Sequence, residues 1–108
     1  MKQSSKLTKD IIKYCLLSKH YVFRVNNIPG TKFRANTLTK GISDIQGCTG
    51  KKLKIDGKVY EAGTTLCIEI KVGNDKMSEH QVKFKEEIEK RGGIFILAKK
   101  LEDVTEVI

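Results

Sequence analysis

The stretch from Leu66 to Ala98 constrains the fold more than any other, because it reads as a strand, a helix and a second strand with little chain between them. In Leu66-Cys67-Ile68-Glu69-Ile70-Lys71 the alternation of an extended chain places Leu66, Ile68 and Ile70 on one face and Cys67, Glu69 and Lys71 on the other. Ser78-Glu79-His80-Gln81 has the spacing of a capping box, and the helix it opens is expected to run to about Arg91, where Gly92-Gly93 stops it with a left-handed C-cap. Ile94-Phe95-Ile96-Leu97-Ala98 is then a continuous apolar run suited to a buried strand. Two strands joined by a crossover helix must lie parallel, so a mixed sheet flanked by helices is expected, an α/β domain.

The rest of the chain fits around that unit. From Ser5 to Leu17, Leu7, Ile11, Tyr14 and Cys15 recur at helical spacing, with Lys6, Lys9 and Lys13 on the opposite side, which predicts an amphipathic helix. His20 to Asn26 has the aromatic and β-branched content of a strand, and Asn27-Ile28-Pro29-Gly30 breaks it. Residues 27–43 read as a loop, and Gly41 to Cys48 as a short strand opening on Asp44. Asp56-Gly57, between Lys51–Ile55 and Lys58–Tyr60, predicts a tight hairpin. Leu101 to Val107 completes the chain as a short helix. A length of 108 residues, 39% of them hydrophobic, suits one domain with a modest core.

Charge narrows the function. Residues 1–58 carry 13 Lys and Arg against 3 Asp and Glu, a net of +10, while residues 59–108 carry 8 against 10, a net of −2, which together give +8. A basic half of this kind suits a polyanion, nucleic acid first among them, although ribosomal association or solubility would produce the same balance. The loop residues Lys32, Arg34 and Lys40 are either a solvated connection or a patch that tracks a phosphate backbone. No apolar run approaches the length of a membrane span and no signal-peptide block follows Met1, so a cytoplasmic protein with no membrane partner is expected. Cys15, Cys48 and Cys67 are odd in number and lack the paired spacing of a zinc site, which leaves them as small buried thiols.

Single residues carry the candidate chemistry. Glu69 and Lys71 put a carboxylate and an ammonium side by side; taken alone they read as surface charges at the end of a strand, and they become a site only if other groups converge on them. Asp44 sits at the mouth of its segment, where it could equally cap a turn. Gln81 falls with Phe84 and Ile88 on the packing face of its helix, where a buried amide needs hydrogen-bond partners.

Gly41-Ile42-Ser43-Asp44, Ile68-Glu69-Ile70-Lys71, Ser78-x-x-Gln81-x-x-Phe84 and Gly92-Gly93, in this order and spacing, closely resemble the VRR-NUC family, the virus-type replication-repair nucleases of the PD-(D/E)XK superfamily. The likeness runs from about residue 7 to residue 105. It implies a restriction-endonuclease-like core, with the basic hairpin as an insertion, and a metal-dependent DNA endonuclease acting as a homodimer on branched DNA such as a Holliday junction or flap. The same likeness points to a phage or prophage origin, and a phage-encoded chain would work in the host cytoplasm. Asp44, Glu69 and the carbonyl of Ile70 would hold Mg²⁺ or Mn²⁺, a hard cation that takes oxygen ligands. Lys71 would orient the attacking water or add positive charge at the transition state, and Gln81 would steady Lys71 or that water. Arg24, Asn26, Lys32, Arg34 and Lys40 are the corresponding candidates for DNA-backbone contact.

The chain departs from the family at one position. Thr8 stands where members usually carry a glutamate on the first helix; Asp10, the nearest acid, lies by helical angle at the flank of the apolar stripe, where it either reaches the site or, the reading favoured near a helix N-terminus, faces solvent. The departure opens a rival reading from another class, a nuclease-like module that binds branched nucleic acid without cutting it.

Overall fold

The computed structural model describes residues 3–25 and 41–108. Its elements are α1 (Gln3–Leu17), β1 (Tyr21–Arg24), β2 (Ile45–Cys48), β3 (Leu53–Ile55), β4 (Lys58–Tyr60), β5 (Thr65–Ile70), α2 (Glu79–Lys90), β6 (Ile94–Ala98) and α3 (Glu102–Thr105). Four strands form one sheet in the order β1-β2-β5-β6, antiparallel except for the β5–β6 pair, which is parallel as the crossover requires. The expected mixed sheet flanked by helices is therefore present. The hairpin forms its own two-stranded sheet, turned by Asp56 and Gly57, both at positive φ (49° and 83°), the pairing that a tight hairpin turn demands.

Register explains the layers. Ile45 lies opposite Ile68, which in turn lies beside Ile96, so one sheet face is aliphatic across β2, β5 and β6. That face packs with Ile11 and Cys15 of α1 and with Val104 and Ile108 beyond β6, forming a single core. The other face carries Cys67, Glu69 and Phe95, and α2 covers it, with Phe84 meeting Phe95 edge-on at 6.3 Å between ring centroids. Both faces of β5 are thus covered, and every residue from Leu66 to Ile70 is buried.

This overturns the reading of Glu69 and Lys71 as surface charges: the strand does not run out into solvent, and Glu69 is only 3% exposed. The terminal helix is also shorter than the expected Leu101–Val107, a single turn whose start is fixed by Asp103 Oδ2 accepting from the amides of Lys99 and Lys100. Among the described residues no helix is long and apolar enough to cross a membrane. All three cysteines are unpaired thiols, Cys15 and Cys67 buried.

Candidate metal and phosphate site

The groups singled out in the sequence meet at one end of the sheet. β2 begins where β5 ends, since the two are antiparallel, and continuing their register by one residue sets Asp44 opposite Glu69. Asp44 is held there by two backbone contacts: its carbonyl accepts from Val25 N–H at 2.8 Å, and its Oδ2 accepts from Ile70 N–H at 2.8 Å. The second bond ties a side chain of β2 to the last residue of β5 and leaves the other carboxylate oxygen of Asp44 free of that contact.

Glu69 reaches towards α2, whose first turn supplies its partner. Ser78 Oγ accepts from Gln81 N–H, and Gln81 Oε1 accepts from Ser78 N–H at 2.9 Å, the reciprocal pair of a capping box. The cap has a second effect. Because Oε1 is committed to Ser78, the amide nitrogen must face the sheet, and Nε2 donates to Glu69 Oε2 at 2.9 Å. Gln81 therefore steadies Glu69, where the sequence reading had it steadying Lys71 or a water. Lys71 Nζ lies 3.6 Å from the same Oε2. The hydrogen bond and the ion pair fall on one oxygen, and Glu69 Oε1 is buried with no hydrogen-bond partner among the described residues.

The electrostatics follow from this crowding. Burial, followed by the charge of the neighbouring Asp44, pushes the Glu69 carboxyl from 4.5 up to about 7, with Lys71 opposing the rise. A buried carboxylate beside another carboxylate, with one oxygen unmatched, is an arrangement that a bound cation would relieve.

These residues line a cleft of about 290 Å³ together with Ser4 and Thr8 of α1, Arg24 at the end of β1, and Ile70, Val72 and Asp75. Of the sequence candidates, Asp44, Glu69, Ile70, Lys71, Gln81 and Arg24 are brought together here. Asn26, Lys32, Arg34 and Lys40 lie outside the described residues. Thr8 is in the cleft wall, with its hydroxyl donated to Ser4 O at 2.7 Å. Asp10 does not reach the site: it pairs with Lys6 at 2.8 Å and borders a different cavity with Lys99 and Lys100. Asp75, in the turn that follows β5, is not among the sequence candidates, yet it lies in the cleft. The signal for it was its place at the carboxyl end of a crossover strand, where α/β sheets bind ligands.

A larger cavity of about 530 Å³ lies between the hairpin and β6. Among the described residues its lining carries no buried side-chain nitrogen or oxygen without a partner, whereas the smaller cleft has Glu69 Oε1. Neither protein-family models nor curated proteins show a match to this chain.

Among the described residues no three His, Cys, Asp or Glu side chains stand close enough to encage a metal by themselves. Asp44 and Glu69 offer two carboxylates, and all the oxygens present are hard donors. That set fits Mg²⁺ or Mn²⁺, which bind through one or two carboxylates and keep several waters, and does not fit a structural zinc ion.

Proposed function

We propose that the chain is a divalent-metal-dependent DNA endonuclease of the PD-(D/E)XK type, with the restriction-endonuclease-like core and the VRR-NUC affinity that its motifs resemble. The observation that carries this reading is the buried, unpartnered Oε1 of Glu69, set beside Asp44 and Lys71 in a cleft. A module that only binds nucleic acid has no physical need for paired carboxylates facing a phosphate backbone, because they repel it unless a cation intervenes.

Asp44 and Glu69, with the carbonyl of Ile70, would hold Mg²⁺ or Mn²⁺, which when bound lowers the pKa of water and draws charge from a phosphoryl oxygen. The residues of the chain do the rest. Lys71, its ammonium on the Glu69 side of the cleft, would orient the attacking water or place a positive charge where the phosphate gains a negative one. Gln81 fixes the Glu69 carboxylate so that Oε1 remains the free oxygen. Arg24, on the cleft wall, would take a backbone phosphate. The basic half of the chain would supply further phosphate contacts, so affinity should fall with salt. Branched DNA as substrate and a homodimer as the working unit belong to the same proposal.

The test is cleavage of end-labelled four-way junction, flap, single-stranded and duplex DNA in Mg²⁺ or Mn²⁺, beside EDTA and Lys71→Ala controls. Metal-dependent cutting that vanishes in Lys71→Ala is expected. No cutting, with DNA binding intact and indifferent to Ca²⁺, would sink the nuclease reading in favour of a binding module.

A further inference from the structure

A two-carboxylate site leaves most of the coordination sphere of a hard cation to water, and those waters need acceptors in the cleft wall. Each candidate acceptor can be checked in turn. Thr8, 5% exposed, donates its hydroxyl proton to Ser4 O, so its oxygen can offer a water only a neutral acceptor. Asp10 is engaged with Lys6 elsewhere on α1. Lys71 and Arg24 are donors, and the Gln81 carbonyl oxygen is taken up by Ser78 N–H. Asp75 remains. It borders the same cleft as Asp44 and Glu69, and its carboxylate makes no hydrogen bond or ion pair to the other described residues. The turn that carries it is closed by Asp75 N–H donating to Val72 O, at 3.3 Å, with Gly73 at φ +61°.

Resting on the metal site proposed above, we infer that Asp75 is an outer ligand of the divalent cation in this cleft, accepting a hydrogen bond from one of its waters. Two independent observations support it: a third carboxylate on the cleft wall, and the buried Glu69 with an unpartnered oxygen in the same wall. Among the described residues the three acids do not stand close enough to encage an ion together, so Asp75 is assigned to a water of the ion that Asp44 and Glu69 would hold. Asp75 also brings the cleft to three carboxylates against the two cations Arg24 and Lys71, which favours capture of a dication in a chain whose net charge of +8 opposes it. The third acid thus comes from the β5–α2 turn, whereas the position the resemblance marks for it on α1 is Thr8.

The experiment is Mn²⁺ binding to the metal-stripped full chain, read as free Mn²⁺ by electron paramagnetic resonance, for the wild type and for Asp75→Asn, Asp75→Glu, Glu69→Gln and Glu61→Gln. Glu61 is an exposed acid outside the cleft and controls for the loss of one charge. Second-layer partners of a metal are worth about tenfold or more in affinity, so Asp75→Asn should bind Mn²⁺ about tenfold more weakly, with Asp75→Glu in part restored and Glu61→Gln within about twofold of wild type. Asp75→Asn within about twofold of wild type, while Glu69→Gln loses binding, would overturn the role of Asp75 and leave the metal site standing. Wild type that does not bind Mn²⁺, or Glu69→Gln that binds as well as wild type, would overturn both.

Discussion

Replacing Glu69 by glutamine should make the metal-free protein more stable while removing a carboxylate from the proposed metal site. The side chain is buried, and its carboxyl is raised from 4.5 in the unfolded chain to about 7 in the fold by desolvation and by Asp44. Between those two values the folded protein keeps the proton that the unfolded chain has released, so stability falls as pH rises through this window and is level on either side of it. Each pKa unit is worth about 1.4 kcal/mol, which puts the full cost of ionising Glu69 in place at about 3 kcal/mol. Glutamine has nearly the same shape, can still accept from Gln81 Nε2, and sets a neutral amide beside Asp44. It undergoes no such step.

Urea unfolding in EDTA at pH 5 and pH 8 measures the difference directly, since all other titrating groups are shared by the two proteins. The stability advantage of Glu69→Gln should widen by about 2 kcal/mol from pH 5 to pH 8. On the proposed metal site the order should reverse with metal: Mg²⁺ at 100 times its dissociation constant would add about 2.7 kcal/mol to the wild type and nothing to the variant. An advantage that does not change with pH, or a variant less stable than wild type at pH 8, would refute the claim that Glu69 is held as an uncompensated buried acid.

Two further substitutions test how α2 is set against the sheet. A Cβ on Gly41 would sit 2.3 Å from the carbonyl oxygen of His80, at φ +82°, so Gly41→Ala should destabilise by more than about 2 kcal/mol; Gly57→Ala, at φ +83° with open space around it, should lose only about 1 kcal/mol, both read by urea midpoint. Gln81→Glu keeps a residue able to close the capping box but puts a carboxylate against Glu69 Oε2, and should destabilise by about 2 kcal/mol at pH 8 and little at pH 5, where the two acids can share a proton.

Much of this was legible in the chain because local chemistry and tertiary need agree. Asp56-Gly57 makes the turn that it predicts, Ser78 and Gln81 form the box that their spacing announces, and Ile94–Ala98 is the parallel strand that a crossover requires, although it lies at the sheet edge with Leu97 exposed. The burial of Glu69 was not legible, because alternation along β5 assigns two faces without saying that α2 covers the second. Nor was the choice Gln81 makes between Glu69 and Lys71. It depends on which end of the amide the cap consumes, a matter of a single hydrogen bond. Asp75 was hidden for a different reason: acids are common in turns, and only the closing of α1, β1 and β5 around one cleft gives this one a neighbourhood.

The capping box joins the folding of α2 to the chemistry of the cleft. Ser78 and Gln81 would stabilise the helix start by about 1 kcal/mol wherever it lay. Here the same pair determines which Glu69 oxygen is matched and which is left over, and Gly41 packs against the backbone of His80 and Gln81 so closely that no side chain fits between. The segment that carries Asp44 therefore presses on the turn that orients Glu69. A shift of either element moves both carboxylates, so the separation of the two acids is fixed by backbone packing, leaving less to side-chain freedom. That rigidity is what a site must have if it is to hold two like charges apart until a cation arrives.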